Sequence, residues 1–296
     1  MKFVERRAVL HPDFIRQKRG SVTSWVGRSF IDPAFVDSLA DAEAWFDDPK
    51  CQVIKDEKKT KVGRLTLMIG DQEHSLYLKR FNAFTLRYQI VSLFASSRAL
   101  KSLRGATILR EARIPTVTPV AAVEVRAWGM LTKSFFISEA IPEGKTTDAF
   151  WSRELRPLRG REGIERRRGF LRDLANLFRL LHAQHVYHDD LKDANILAAG
   201  NDSASSVSFF LLDFEGVRRY SRLSKRRQLK NLVQLNRTLG RHLRRPEKLY
   251  FLKAYSESAS SDRILRRQLI SKVLRQTRRV DVIKARQAAE ARASLG

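Results

Sequence analysis

Cysteine is almost missing: Cys51 is the only one in 296 residues. A single thiol excludes an internal disulfide framework and any zinc site built from cysteines alone. It is compatible with a reducing compartment. No apolar run approaches the roughly 18 residues needed to span a bilayer. At the start of the chain Glu5, Arg6 and Arg7 break up the apolar residues, so no signal-peptide core is expected. Internal repeats and lipidation motifs are lacking as well. Acidic residues are scarce beside basic ones, 32 against 57, which leaves a formal charge of +25. That surplus attracts nucleic acid, an anionic membrane face or a phosphorylated substrate, and charge alone does not choose among them. What is present is a globular balance, 43% apolar and 30% charged, which excludes a disordered chain. At roughly 150 residues per domain the length suggests two domains or lobes, enough for a sizeable core.

The pattern changes along the chain. The first thirty residues are polar and show little periodicity. Asp32-Pro33 caps a helix with Ala34, Phe35, Leu39, Ala42 and Trp45 at helical spacing. Cys51–Ile54, Val62–Ile69 and Ser75–Phe81 read as three strands of an antiparallel meander. A helical stretch runs from Phe84 to Leu109 and stops at Ile114-Pro115. Val120–Arg126 and Ser134–Ser138 read as two more strands. Beyond Pro142 the chain is mainly helical. Helices are expected over Gly169–His185, Leu223–Leu243 and Asp262–Leu295, with a short strand pair around a turn at Gly200-Asn201.

One segment carries chemistry. Val186–Leu197 contains His188-x-Asp190-Leu-Lys192-x-x-Asn195, and the apolar run Phe209–Leu212 then leads into Asp213-Phe214-Glu215. Lys79 lies in the third strand of the meander. Phosphoryl transfer needs a carboxylate to orient a hydroxyl, an amide oxygen and a carboxylate for Mg²⁺, and a lysine for the phosphates. Asp190, Asn195, Asp213 and Lys79 match those roles in the chain order of a kinase. Lys192 is placed to offset charge on the transferring phosphoryl group. His188 reads as a brace for backbone, and His182 and His185 as solvated or hydrogen-bonded residues at a helix end.

These motifs resemble the bacterial lipopolysaccharide core kinases, which include heptose kinases and 3-deoxy-manno-octulosonic acid (Kdo) kinases. The resemblance is carried by YLKRF (Tyr77–Phe81), ARIPTVTPVAAVE (Ala112–Glu124), YHDDLKDANIL (Tyr187–Leu197) and LLDFEGVRRYSRLSKRRQLKNLVQLNRTL (Leu211–Leu239). It covers roughly residues 50–245. It implies an α+β, bilobal protein-kinase-like fold with a small antiparallel-sheet N-lobe and a larger helical C-lobe. The expected divisions are an extension over 1–49 packed on the N-lobe, the N-lobe over 50–141, and the C-lobe over 142–296.

The sequence departs from a protein kinase in three places. Lys55–Lys61, where a glycine-rich loop would cover the nucleotide, has no G-x-G-x-x-G. The metal triplet ends in Glu215, with Gly216 one place late. A helix glutamate should pair with Lys79, and Glu111 is the candidate although it comes late in its helix. The linker Ser138–Ile141 places Glu139 and Ile141 near the adenine, with Val53, Val62 and Tyr77 as its cover.

The implied activity is ATP- and Mg²⁺-dependent phosphorylation of a heptose or Kdo hydroxyl of the inner core. Asp190 and Lys192 are the catalytic pair. Lys79, Glu111, Glu139, Ile141, Asn195 and Asp213 form the nucleotide site, and Asn195 and Asp213 hold the metal. The basic run Arg218, Arg219, Arg222, Lys225, Arg226, Arg227 and Lys230 suits phosphates and carboxylates of the substrate. Arg263, Arg266, Arg267, Arg275, Arg278 and Arg279 load the last helix, which either packs on the C-lobe or lies on the anionic inner face of the cytoplasmic membrane. Three other readings fit the composition: a kinase of another small molecule or of protein, a weakly active scaffold, or a nucleic-acid binder. Against the last, no nucleic-acid-binding motif is visible, and aromatics do not interleave the basic clusters.

Overall fold

The computed structural model describes residues 12–82, 92–93, 95–200, 207–257 and 263–293. The helical stretch read over Phe84–Val91 lies outside these residues, as do Asn201 of the expected turn and Asp262 and Leu295 of the last helix. The chain forms two compact units. One holds the residues up to Glu111, Val117–Ile141 and Phe214–Gly216; the other holds Ala112–Thr116, Pro142–Asp213 and the residues from Val217 onward.

The first unit is built on a seven-stranded antiparallel sheet. Its strands are β1 (Phe14–Arg19), β2 (Val22–Gly27), β3 (Gln52–Glu57), β4 (Thr60–Ile69), β5 (Gln72–Asn82), β6 (Pro119–Ala127) and β7 (Met130–Glu139), in the order β1-β2-β6-β7-β5-β4-β3. The meander of the sequence is β3-β4-β5. The first thirty residues, expected to be featureless, instead supply β1 and β2, which extend the sheet next to β6. The alternation of β1 is weak because Arg16, Lys18 and Arg19 occupy the exposed positions of an edge strand, as edge strands commonly require.

Helix α1 (Pro33–Ser38) starts as its sequence dictates, with the Asp32 carboxylate accepting from the Phe35 N–H at 2.8 Å and Pro33 in the first turn. Phe35, Val36, Leu39, Trp45 and Phe46 pack on Leu65, Leu76, Leu78 and Ile137 from one face of the sheet. Burying each large side chain contributes about 2 kcal/mol. Period-two alternation sends Leu76 and Leu78 into this core, so Tyr77 and Lys79 lie on the opposite face. Helix α2 (Arg98–Glu111) belongs to the same unit.

The second unit is mainly helical. A short helix, α3 (Thr147–Phe150), runs into a π turn over Trp151–Leu155. Helix α4 (Gly160–Ala183) buries Phe170, Leu174, Leu177, Phe178 and Leu181 along one stripe. Three further helices follow: α5 (Lys225–Arg237), α6 (Arg245–Glu257), which the sequence reading did not foresee, and α7 (Arg263–Ala293). Phe178 meets Phe251 of α6 edge to face at 5.7 Å. The last helix packs rather than standing free: Val273 and Thr277 are buried, Asn236 Nδ2 donates to Thr277 Oγ1 at 3.0 Å, and Arg237 pairs with Asp281 at 2.7 Å. Small strands complete the unit: β8 (Lys145–Thr146), β10 (Ile196–Ala199) and β11 (Ser208–Leu211) form one sheet, and β9 (Val186–His188) pairs with β12 (Val217–Arg219). Among the described residues no helix is long and apolar enough to cross a membrane.

Candidate active site

The segment His188–Asn195 leaves the buried strand β9 and ends in a 3₁₀ turn over Asp193–Asn195. His188 is fully buried. Its Nε2 donates to the Leu212 carbonyl at 2.8 Å and its Nδ1 accepts from the Asp190 N–H at 3.3 Å. Acceptance at Nδ1 requires the neutral ring, and burial holds its pKa below the usual histidine value. The brace role read for His188 is therefore what the structure shows. Asp190 Oδ2 accepts from Lys192 Nζ at 2.6 Å and from Asn195 Nδ2 at 3.1 Å. Asn195 Nδ2 also donates to the Asp190 carbonyl at 2.8 Å. These three side chains thus form one cluster, with the Asp190 carboxylate half exposed.

Asp213 comes to the same end of the β10-β11 hairpin. Ile196 faces Leu211 across the pair, and the Leu212 N–H donates to the Asn195 carbonyl at 2.9 Å. Asn195 thus precedes one strand and Asp213 follows the other. Asp213 has a left-handed backbone, φ 60°, a conformation that aspartate tolerates better than most residues and that recurs at functional loops.

The residues that hold this loop were not read from the sequence. Asn231 of α5, fully buried, donates to the His188 carbonyl at 2.6 Å. Gln234 donates to the Asp189 carbonyl at 2.5 Å and accepts from the Leu191 N–H at 3.4 Å. Thr238 Oγ1 accepts from the Asp193 N–H at 3.2 Å. A signal did exist: polar residues at 231, 234 and 238 share one helical face beside a leucine stripe. Asn231 Oδ1 also accepts from His182 Nε2 at 3.3 Å, which leaves His182 Nδ1 to accept from Tyr255 Oη at 2.8 Å. His182 is buried, and desolvation pushes its pKa down to about 4. Beside the loop, Lys230 pairs with Asp189 at 2.8 Å, which holds the Asp189 carboxyl below its ordinary range. Arg227 lies over Tyr220 at 4.1 Å, so part of the basic run is packed against the loop's own strand pair.

In the first unit Lys79 faces a carboxylate, but the sequence named a different one. Glu215 Oε1 lies 3.8 Å from Lys79 Nζ. Arg98 of α2 grips Glu215 with two bonds, Nε to Oε2 at 2.6 Å and Nη2 to Oε1 at 3.0 Å. Glu111, the expected partner, is the exposed last residue of α2. The first turn of α2 carries no acid, and Arg98 stands there. Glu215, seen in the sequence as a departure from the triplet, is the residue that reasoning missed; an acid where glycine was expected was the signal. Arg98 and Lys79 both lie over the Phe81 ring, at 4.6 and 5.0 Å. Phe214 is buried edge-to-face on Phe136, and Gly105 of α2 makes room for it. A Cβ at Gly105 would come within 2.1 Å of the Phe214 carbonyl oxygen.

Glu139 ends β7, with its carboxylate 3.0 Å from His74 Nδ1. The Glu139 and Ala140 N–H groups donate to the Thr118 and Ser75 carbonyls, at 2.9 and 2.8 Å. Val53 is exposed on β3, whereas Val62 and Tyr77 are half-buried.

A model of the lipopolysaccharide kinase (Kdo/WaaP) family matches residues 45–255. Among curated proteins no relative matches. A solved structure of WaaP in complex with acyl carrier protein has the same fold. It is 18% identical, with a TM-score of 0.59, and the match covers 84% of this chain and 97% of that one. The α+β architecture is thus that of a kinase-like protein.

Proposed function

The chain belongs to the lipopolysaccharide kinase (Kdo/WaaP) family, a family of phosphotransferases, and we propose that it moves the γ-phosphoryl group of ATP to a heptose or Kdo hydroxyl of the lipopolysaccharide inner core. The observation that carries this reading is the Asp190 cluster. Lys192 and Asn195 both engage Oδ2, and Oδ1 is assigned to the acceptor hydroxyl. Asp190 aligns that hydroxyl and takes its proton as the new O–P bond forms and the bond to ADP breaks. Lys192 then offsets charge on the phosphoryl oxygens.

The donor set fits Mg²⁺. Both Asn195 Nδ2 contacts go to Asp190, so its Oδ1 remains as a hard oxygen, and Asp213 adds a carboxylate. Mg²⁺ held by these two residues would neutralise phosphate charge. Lys79 is assigned to the α- and β-phosphates, positioned by Glu215 rather than by Glu111. Because the Glu139 and Ala140 N–H groups are already engaged, the Ile141 N–H is the donor assigned to adenine. The exposed arginines of α7 suit an anionic lipid surface on the cytoplasmic side of the membrane, where the acceptor would be presented.

Nucleotide binding tests the metal assignment. Wild type should bind ATP more tightly with Mg²⁺ than with EDTA. Asp213→Asn should lose that difference, and Asp190→Asn should keep it. A Mg²⁺ effect that survives Asp213→Asn would remove Asp213 from the metal site.

A further inference from the structure

A cavity of about 610 Å³ opens in the second unit beside the start of α4. Its wall carries four arginines, Arg156, Arg159, Arg241 and Arg244, all exposed. Among the described residues none of the four makes an ion pair. A fifth, Arg167, is spoken for. It pairs with Glu247 at 3.4 Å and donates to the Leu155 and Leu158 carbonyls. Glu247 also accepts from the Arg244 N–H at 2.6 Å, so the one acid in the wall is already engaged. Four like charges on one concave surface repel, and an anion relieves that repulsion.

The backbone adds to the field. Helix α4 has 24 residues and begins with no side-chain cap at Arg159. The first intrahelical bond runs from the Gly163 N–H to the Arg159 carbonyl, so the N–H groups of residues 160–162 have no partner inside the helix. Gly160, at φ 66°, lines the cavity at that point. The positive end of the macrodipole and the guanidinium groups therefore act together. The cavity is larger than one phosphate ion needs and falls in the range of small-molecule sites. Leu158, Ile164 and Leu243 give it an apolar side that a sugar's C–H face can cover.

The cavity also adjoins the reacting loop. His242 lies on its wall, and one ligand atom each from His242, Asp148 and Asp193 fall within 4.8 Å of one another. Asp193 belongs to the 3₁₀ turn that ends in Asn195.

We propose that this cavity binds a phosphate or carboxylate group carried by the acceptor saccharide, on a sugar other than the one that receives the phosphoryl group. The occupant rests on the saccharide-kinase reading; the anion chemistry rests on the cavity alone. The four arginines then select acidic acceptors, forming bidentate bonds that a neutral sugar cannot.

Calorimetry on the full chain tests the anion chemistry, with glucose 6-phosphate, glucuronate, glucose and inorganic phosphate as probes. The sugar phosphate and the sugar acid should bind, with glucose undetected and inorganic phosphate weaker. Arg241→Gln/Arg244→Gln should weaken sugar-phosphate binding about tenfold or more, one to two charge-assisted bonds' worth. Arg275→Gln/Arg279→Gln, of equal charge change on α7, should leave it unaltered. Equal losses in both double variants, or no binding by wild type, overturn the site. Equal affinity for inorganic phosphate overturns the saccharide class.

Kinetics then tests the role. With phosphorylated inner-core oligosaccharide the 241/244 variant should raise KM about tenfold at similar kcat. With an acceptor whose phosphates are removed by phosphatase and whose carboxyl groups are reduced to alcohols it should match wild type. The same KM rise on both acceptors overturns the proposal. If wild type transfers phosphate to no saccharide, the saccharide-kinase reading fails, and the calorimetry still decides the cavity.

Discussion

Glu215→Gln removes the negative charge that Arg98 and Lys79 share. The carboxylate receives two bonds from Arg98, at 2.6 and 3.0 Å, and faces Lys79 at 3.8 Å. At 3.8 Å and an effective dielectric constant near 20, the Lys79 attraction alone is about 4 kcal/mol before desolvation is counted. Charge-assisted hydrogen bonds retain a net ~1.5–3 kcal/mol. Glutamine keeps the shape and loses the charge, so Lys79 and Arg98, both over the Phe81 ring, lose the carboxylate they share. Lys79 should then move off its position for the phosphates. The expected result is a fall of about 10- to 100-fold in kcat/KM for ATP, since each ~1.4 kcal/mol is tenfold. The KM for the acceptor should stay within about twofold. Glu215→Asp should recover part of the loss, and Glu111→Gln should cost little. Steady-state kinetics with each substrate varied in turn, beside thermal unfolding, separates the outcomes. A Glu215→Gln enzyme with unchanged ATP kinetics would refute the reasoning, even if its melting temperature dropped.

Further outcomes follow from other parts of the structure. Asn231→Ala strips the bond to the His188 carbonyl and leaves His182 Nε2 without its acceptor; it should cost about 2–4 kcal/mol in urea unfolding and lower kcat, while ATP affinity holds. Gly105→Ala drives a methyl group into the Phe214 carbonyl and should lower thermal stability by more than the usual glycine-to-alanine gain of about 1 kcal/mol in a helix; a stabilised variant would show that α2 does not pack as described. Acid should destabilise the second unit early. His182 titrates near pH 4 when folded and near 6.5 when unfolded, so the unfolded chain binds more protons between these values. Stability is thus complete above about pH 6.5 and falls towards pH 4, by about 3 kcal/mol for His182, with buried His188 acting in the same direction. Urea midpoints at pH 7 and pH 5 check this, and His182→Gln should flatten the difference.

Much of the site was legible because chemistry restricts it to few residue types at short spacing. The loop from His188 to Asn195 and the strand that leads to Asp213 are local motifs, and local motifs survive in a bare sequence. Lys79 was legible because period-two alternation puts it across the strand from Leu76 and Leu78. Glu215 was not, because its role depends on Arg98, which is close in space and far in sequence. Asn231, Gln234 and Thr238 looked like the polar side of a basic helix, and only packing shows that they face the loop. Strand β1 escaped for a different reason: an edge strand rich in arginine and lysine has little alternation to read. The cationic cavity was hidden because its arginines come from two segments, 156–159 and 241–244, whose proximity the helical packing creates.

Transfer of labelled γ-phosphate from Mg-ATP is the most direct test of the central claim. Purified inner-core lipopolysaccharide, a generic protein and water would serve as acceptors, with Asp190→Asn as the control. The account predicts label on a sugar of the core and a loss of orders of magnitude in the variant, which should remain folded. Label on protein alone, or a core acceptor labelled equally well by Asp190→Asn, would contradict it.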